Sequence, residues 1–133
     1  MKIAIPTEDK TTISEHFAGA PYFTVVTVEE NRITDKEMRE KPGHKDFAGE
    51  EHSPQTTESG RHGVGPVASE RHKKIFEVIK DCDLIIAGRM GLGAYIDMQG
   101  FGMKVIVSDV KDIDEAVSLY LDGKLSHKED RIC

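Results

Sequence analysis

An α/β domain, with a mixed sheet and helices over both faces, is the architecture this sequence predicts. Its N-terminal part carries the period-two alternation of strands, and its second half interleaves helical stripes with short apolar runs. One such run, Leu-Ile-Ile-Ala at residues 84–87, is apolar on both alternating faces, which is how a strand covered on both sides reads.

In chain order, residues 2–6 form a first short strand, ended by Pro6. Residues 23–28 alternate with β-branched side chains, and residues 32–39 alternate more weakly. Glu29-Glu30-Asn31 between them is a tight connection, so the pair reads as an antiparallel hairpin. Its second arm is polar and charged, as suits a solvated edge strand. Across residues 40–66 the periodicity disappears into a stretch rich in Gly, Pro, Ser, Thr and charge. A loop of that length in a small domain is either functional or disordered.

Residues 67–80 read as a helix whose Ala68, His72, Ile75, Phe76 and Ile79 share one stripe. After the strand at 84–87 comes a turn carrying Gly88, Gly91 and Gly93. A short helix at 94–99, stopped by Gly100, and an apolar strand at 103–108 follow. Asp112 and Glu115 make a capping-box-like start for the last helix, whose Ile113, Ala116, Val117, Tyr120 and Leu121 share a face, with Gly123 at its stop. The strand–helix–strand order implies parallel strands joined by a right-handed crossover. Residues 1–125 therefore read as one domain, and the polar tail, 126–133, as flexible.

The totals narrow the function. A chain of 133 residues can bury a core without staples. Its formal charge of −6 argues against a nucleic-acid binder, which normally shows a basic face. Two cysteines, Cys82 and Cys133, imply no disulfide framework. The apolar run at the start is too short for a signal peptide, and no stretch is long enough to span a bilayer. A reducing cytoplasmic location is the simplest expectation.

His16 is the first candidate for chemistry. It lies on the loop after the first strand and could ligate a metal, donate to an anion, or simply hydrogen-bond its own loop. His44, His52, His62 and His72 are scattered too widely for a zinc signature, which relies on close pairs. Among them His62 is favoured, because glycines flank it and a helix start follows. Gly88, Gly91 and Gly93 run G-x-x-G-x-G, which is neither a dinucleotide fingerprint nor a P-loop. Such a turn can present N–H groups to an anion, or can need glycine for packing alone. Arg89 adds an anion contact or is merely exposed. Phe17, Tyr22 and Phe23 read as core or pocket wall, and Cys82 as a small buried residue. No nucleophile–base constellation can be assigned, and the first strand carries no acid, which weighs against a two-metal nuclease.

With these residues assembled, the chain resembles the dinitrogenase iron–molybdenum cofactor biosynthesis family from Lys2 to about Leu125. The resemblance rests on Met-Lys-Ile-Ala-Ile-Pro at the start and on Ile-Ser-Glu-His-Phe-Ala-Gly-Ala-Pro-Tyr-Phe at residues 13–23. It continues with Asp-Leu-Ile-Ile-Ala-Gly-Arg-Met-Gly-Leu-Gly-Ala at 83–94, Gly-Met-Lys-Val at 102–105, and a last helix ending Tyr-Leu-Asp-Gly-Lys-Leu.

That resemblance implies a ribonuclease-H-like, three-layer α/β/α fold with a five-stranded mixed sheet. It also implies binding of an iron–sulfur or iron–molybdenum cluster, or its precursor, rather than turnover. Carried over by position, His16 and the turn from Gly88 to Gly93 are the expected site elements. Ala18 and Arg89 stand where the family usually has glycine, and Arg89 would fill part of the pocket or contact an anionic cluster.

The leading expectation is thus a non-enzymatic carrier. His16 and His62 would be its metal ligands, and Gly88, Arg89, Gly91 and Gly93 its cofactor-binding residues. A cluster donor or acceptor protein would be its partner, with no nucleic acid and no membrane. The rivals are a metal-free regulatory or interaction module that binds a small anion or a partner protein, and a metal-dependent hydrolase.

Overall fold

Strand order is set by which apolar runs can be covered on both sides. The computed structural model describes residues 1–40 and 66–132. Its strands are β1 (Lys2–Thr7), β2 (Tyr22–Glu29), β3 (Arg32–Glu40), β4 (Leu84–Ala87) and β5 (Lys104–Val107). They form one five-stranded sheet in the order β3-β2-β1-β4-β5. β1 runs antiparallel to β2 and parallel to β4; β2–β3 is antiparallel and β4–β5 parallel. The sheet is mixed, as expected.

Among the described residues three helices cover it: α1 (Pro66–Ile79), α2 (Leu92–Gly100) and α3 (Ile113–Leu121). Ile75 and Ile79 of α1 and Ala94 and Met98 of α2 pack with Ala4, Phe23, Val25, Ile85, Ala87, Val105 and Val107 on one face of the sheet. Ile113, Ala116 and Val117 of α3 pack with Ile3, Ile5, Val26, Leu84, Ile86 and Ile106 on the other. β4 contributes alternate residues to both cores and is buried along its whole length. None of the described helices is long and apolar enough to cross a membrane.

The local signals explain the ends of the elements. Glu30 and Asn31 both take positive φ, 53° and 62°, the two-residue turn whose twist suits a hairpin. Among the described residues β3 pairs with β2 alone and is mostly exposed, as a solvated edge should be. Asp112 caps α3, its carboxylate accepting from the Glu115 N–H at 2.9 Å. At the other end Gly123 takes φ +73°. Lys124 N–H donates back to Leu119 O and Gly123 N–H to Tyr120 O, the two bonds of a Schellman stop.

Two expectations are corrected. Pro6 does not end β1, because its carbonyl accepts from Ser14 and the strand continues, paired with β2, to Thr7. α2 begins at Leu92 rather than Ala94, so Gly93 belongs to its first turn rather than to the loop before it. The polar tail makes backbone hydrogen bonds to the body as far as Ile132. Lys128 N–H donates to Val107 O at 2.7 Å, and Ile132 bridges Met90 beside a short 3₁₀ turn at Glu129–Arg131.

Candidate functional site

The site region lies at the carboxyl ends of β1 and β4, the end of an open α/β sheet where ligands usually bind. The two parallel strands pair only through Ile3–Leu84 and Ala4–Ile85. Beyond that register Ser14 enters between them. Its N–H donates to Pro6 O at 2.8 Å, and its carbonyl accepts from Gly88 N–H at 3.1 Å. Ser14 is buried, and its hydroxyl accepts from His16 N–H at 3.0 Å. Ala20 N–H closes the loop onto His16 O at 2.8 Å, and Phe17 anchors it in the core against Phe23. With its backbone fixed in this way, His16 presents an exposed ring that has no hydrogen-bond partner among the described residues.

The opposite wall is the turn after β4. A Cβ on Gly88 would stand 2.9 Å from Ser14 O, so this glycine is required by the close approach of the His16 loop. Gly91 differs: its φ is −67° and, among the described residues, a Cβ there would meet nothing within 4 Å. Neither backbone strain nor packing requires glycine at that position. Gly91 is the N-cap of α2 and supplies no side-chain cap. Among the described residues the N–H groups of Leu92, Gly93 and Ala94 have no acceptor, which leaves the positive end of the helix dipole open.

Between the two walls is a concavity of about 400 Å³, lined by Glu8, Glu15, His16, Phe17, Ala18, Gly19, Arg89, Met90 and Gly91. The structure therefore brings together His16, half-buried Arg89 and Gly91. It does not place Gly88 or Gly93 on the lining. The first sits behind the wall and the second inside α2. His62 lies outside the described residues, as do His44 and His52.

Met90 and Phe17, buried at 1% and 2% exposure, give the space an apolar floor. Glu8 and Glu15 carry negative charge to it, but Glu15 is ion-paired with Arg131. Among the described residues no three His, Cys, Asp or Glu side chains converge into a cage for a bare cation.

Sequence reasoning missed Glu8, Glu15 and Arg131, and took Met90 only as part of the turn from Gly88 to Gly93. Glu15 carried a signal as the neighbour of His16, whereas the Arg131 contact joins residues 116 positions apart. Two other polar candidates lie elsewhere. His72 is buried and its Nδ1 lies 2.7 Å from Asp97 Oδ2, linking α1 to α2. Cys82 is buried at the opposite end of β4, and burial pushes its thiol pKa up to about 11, which disfavours the thiolate.

Known proteins share this fold. An uncharacterised protein of Methanocaldococcus jannaschii is 30% identical over 129 residues, covering 97% of this chain and 92% of that one. The crystal structure of PH0822 superposes with a TM-score of 0.66 at 23% identity, covering 98% of both chains. The apo form of the orange protein from Desulfovibrio gigas gives 0.62 at 19% identity, over 96% of this chain and 92% of that one. At such identities the two structures establish a shared fold. Residues 1–123 match the family described as Dinitrogenase iron-molybdenum cofactor, and it is to this family that the chain belongs.

Proposed function

We propose that this protein is a non-enzymatic carrier for an iron–sulfur or iron–molybdenum cluster, or its precursor. The observation that carries the reading is the composition of the concavity. One exposed imidazole, one guanidinium and the uncapped start of α2 surround a floor of Phe17 and Met90, with the carboxylates of Glu8 and of Glu15, the latter paired with Arg131, also on the lining. A bare cation would need several protein ligands. A preassembled metal–sulfur anion brings its own sulfides, so it needs one open-site ligand and a set of hydrogen-bond donors. Soft sulfide also suits an apolar, thioether-bearing floor better than a hard oxyanion does.

In this reading His16 ligates the cargo, Arg89 and the N–H groups after Gly91 hold its charge, and Gly88 and Gly93 keep the backbone close behind them. His62 is the second protein ligand. Membership of the iron–molybdenum cofactor family supports the choice of cargo. Among the described residues the lining holds no serine, threonine, cysteine or lysine, in keeping with carriage. The strand order β3-β2-β1-β4-β5, with α1 and α2 on one face and α3 on the other, supports a ribonuclease-H-like three-layer fold. Leu92 and Ile96, exposed on α2 next to the concavity, suit contact with a donor or acceptor protein in the cytoplasm.

Protein purified without oxygen, before and after reconstitution with iron, sulfide and molybdate, tests the assignment by elemental analysis and visible absorption. Stoichiometric metal with charge-transfer bands is the expected result. The His16→Ala protein should bind at least about tenfold more weakly, as loss of a metal ligand implies. Colourless, metal-free protein under both conditions would overturn the carrier reading and favour a metal-free anion-binding or interaction module.

A further inference from the structure

The geometry points to Arg131 as a positioning residue of the concavity, clipping the His16 loop to the turn after β4 and engaging the carboxylate of Glu15 that faces the same space. Arg131 lies beyond residues 1–123, the part of the chain matched to the family. Its Nε donates to Gly88 O at 2.6 Å, on the wall formed by the turn. Another nitrogen of the same guanidinium donates to Glu15 Oε1, on the wall formed by the His16 loop. Its backbone takes part as well: Met90 N–H donates to Arg131 O at 3.2 Å. The approach is prepared upstream, where His127 Nδ1 accepts from Val107 N–H at 3.1 Å and Lys128 N–H donates to Val107 O. The segment thus crosses the carboxyl end of β5 and then that of β4.

A planar guanidinium can donate to two acceptors at once in fixed directions, which a single ammonium on a flexible stem does poorly. The Arg131 side chain is only 21% exposed, so the fork is held in place. Without it the two walls keep Ser14 as their shared link, and the Glu15 carboxylate is released beside His16. The first consequence is mechanical and independent of any cargo. The second, a negative charge freed into a space for an anion, rests on the carrier reading.

Amide hydrogen exchange on the full chain separates the two. In Arg131→Gln the amides of Gly88 and Met90 should exchange about tenfold faster or more, with Val26 and Ile85 in the sheet unchanged. Arg131→Lys should recover part of the protection. Native rates at Gly88 and Met90 in Arg131→Gln would overturn the clip. If that variant fails to fold, Arg131→Lys takes over the test, and native rates there would overturn it equally.

Reconstitution with iron, sulfide and molybdate then reads the second consequence. Arg131→Gln should bind about tenfold more weakly, and adding Glu15→Gln should restore part of that loss. Loosened amides with undiminished uptake would show that the clip does not serve the concavity. If the native protein takes up no metal, the carrier reading falls, and the exchange rates still decide the clip.

Discussion

The two ends of β4 are built on opposite principles. At its amino end every strong polar group has a partner. Arg39 donates to both oxygens of Asp81, at 2.6 and 2.9 Å, and to Val78 O at 2.7 Å. Lys2 donates to Asp81 through its ammonium and to Asp83 through its backbone N–H. Among the described residues, at the carboxyl end the His16 ring and the first N–H groups of α2 have no partner and nothing stands within 4 Å of a Cβ built on Gly91. The His16 ring is exposed and the first N–H groups of a helix have no intrahelical partner, so in the proposed reading this open end is the one that receives the cargo.

The strongest way to break this comparison is through Gly88, which belongs to the structure of the open end rather than to its lining. In Gly88→Ala the new methyl meets Ser14 O at 2.9 Å and Ser14 C at 3.3 Å, both backbone atoms. Either the His16 loop or β4 must move, at a cost of about 1–3 kcal/mol. Thermal unfolding should show a Tm at least about 4 °C lower. An unchanged Tm would mean that the Ser14 wedge is not tightly seated.

The paired end gives a smaller effect with a definite pH dependence. The Arg39 guanidinium, donating to Asp81, holds that carboxyl well below the usual carboxylate range, against the opposing effect of burial. A folded-state pKa below the unfolded one gives stability that is complete above the unfolded value, about 4, and is lost as pH falls below it. Asp81 is 45% exposed, so solvent screening limits the pair to about 1 kcal/mol. Asp81→Asn should therefore lower stability at neutral pH by about that amount and flatten its fall between about pH 4 and pH 2. Equal acid sensitivity in variant and parent would remove Asp81 from the account.

What was legible in the sequence follows the same division between local and long-range causes. β4 could be read because four consecutive apolar residues leave a strand no exposed face. The ends of α3 could be read because Asp112 and Gly123 act on backbone within a few residues of themselves. Pro6 misled because its place in the sheet depends on Ser14, a partner supplied by a later loop. Arg131 could not be read at all. Its polar surroundings resemble those of a solvated tail, and only the fold brings it to Gly88 and Glu15. At the candidate site, His16 stood out by its setting, whereas the G-x-x-G-x-G pattern could not say which glycine answers to packing and which does not.

Gly91→Ala sharpens that last distinction with the smallest structural change. Its Cβ meets no atom of the described residues within 4 Å and its φ suits any residue, so the methyl introduces no clash with them. Alanine is a poorer N-cap than glycine, which sets the loss of stability below about 1 kcal/mol. Yet Gly91 lines the concavity, and a methyl there takes up room beside the free N–H groups of α2. Uptake of the reconstituted metal–sulfur cargo should weaken while Tm hardly moves, the reverse of the primary effect of Gly88→Ala. A Gly91→Ala protein that binds as the parent does would show that the cargo does not approach the backbone at α2, leaving His16, His62 and Arg89 to hold it.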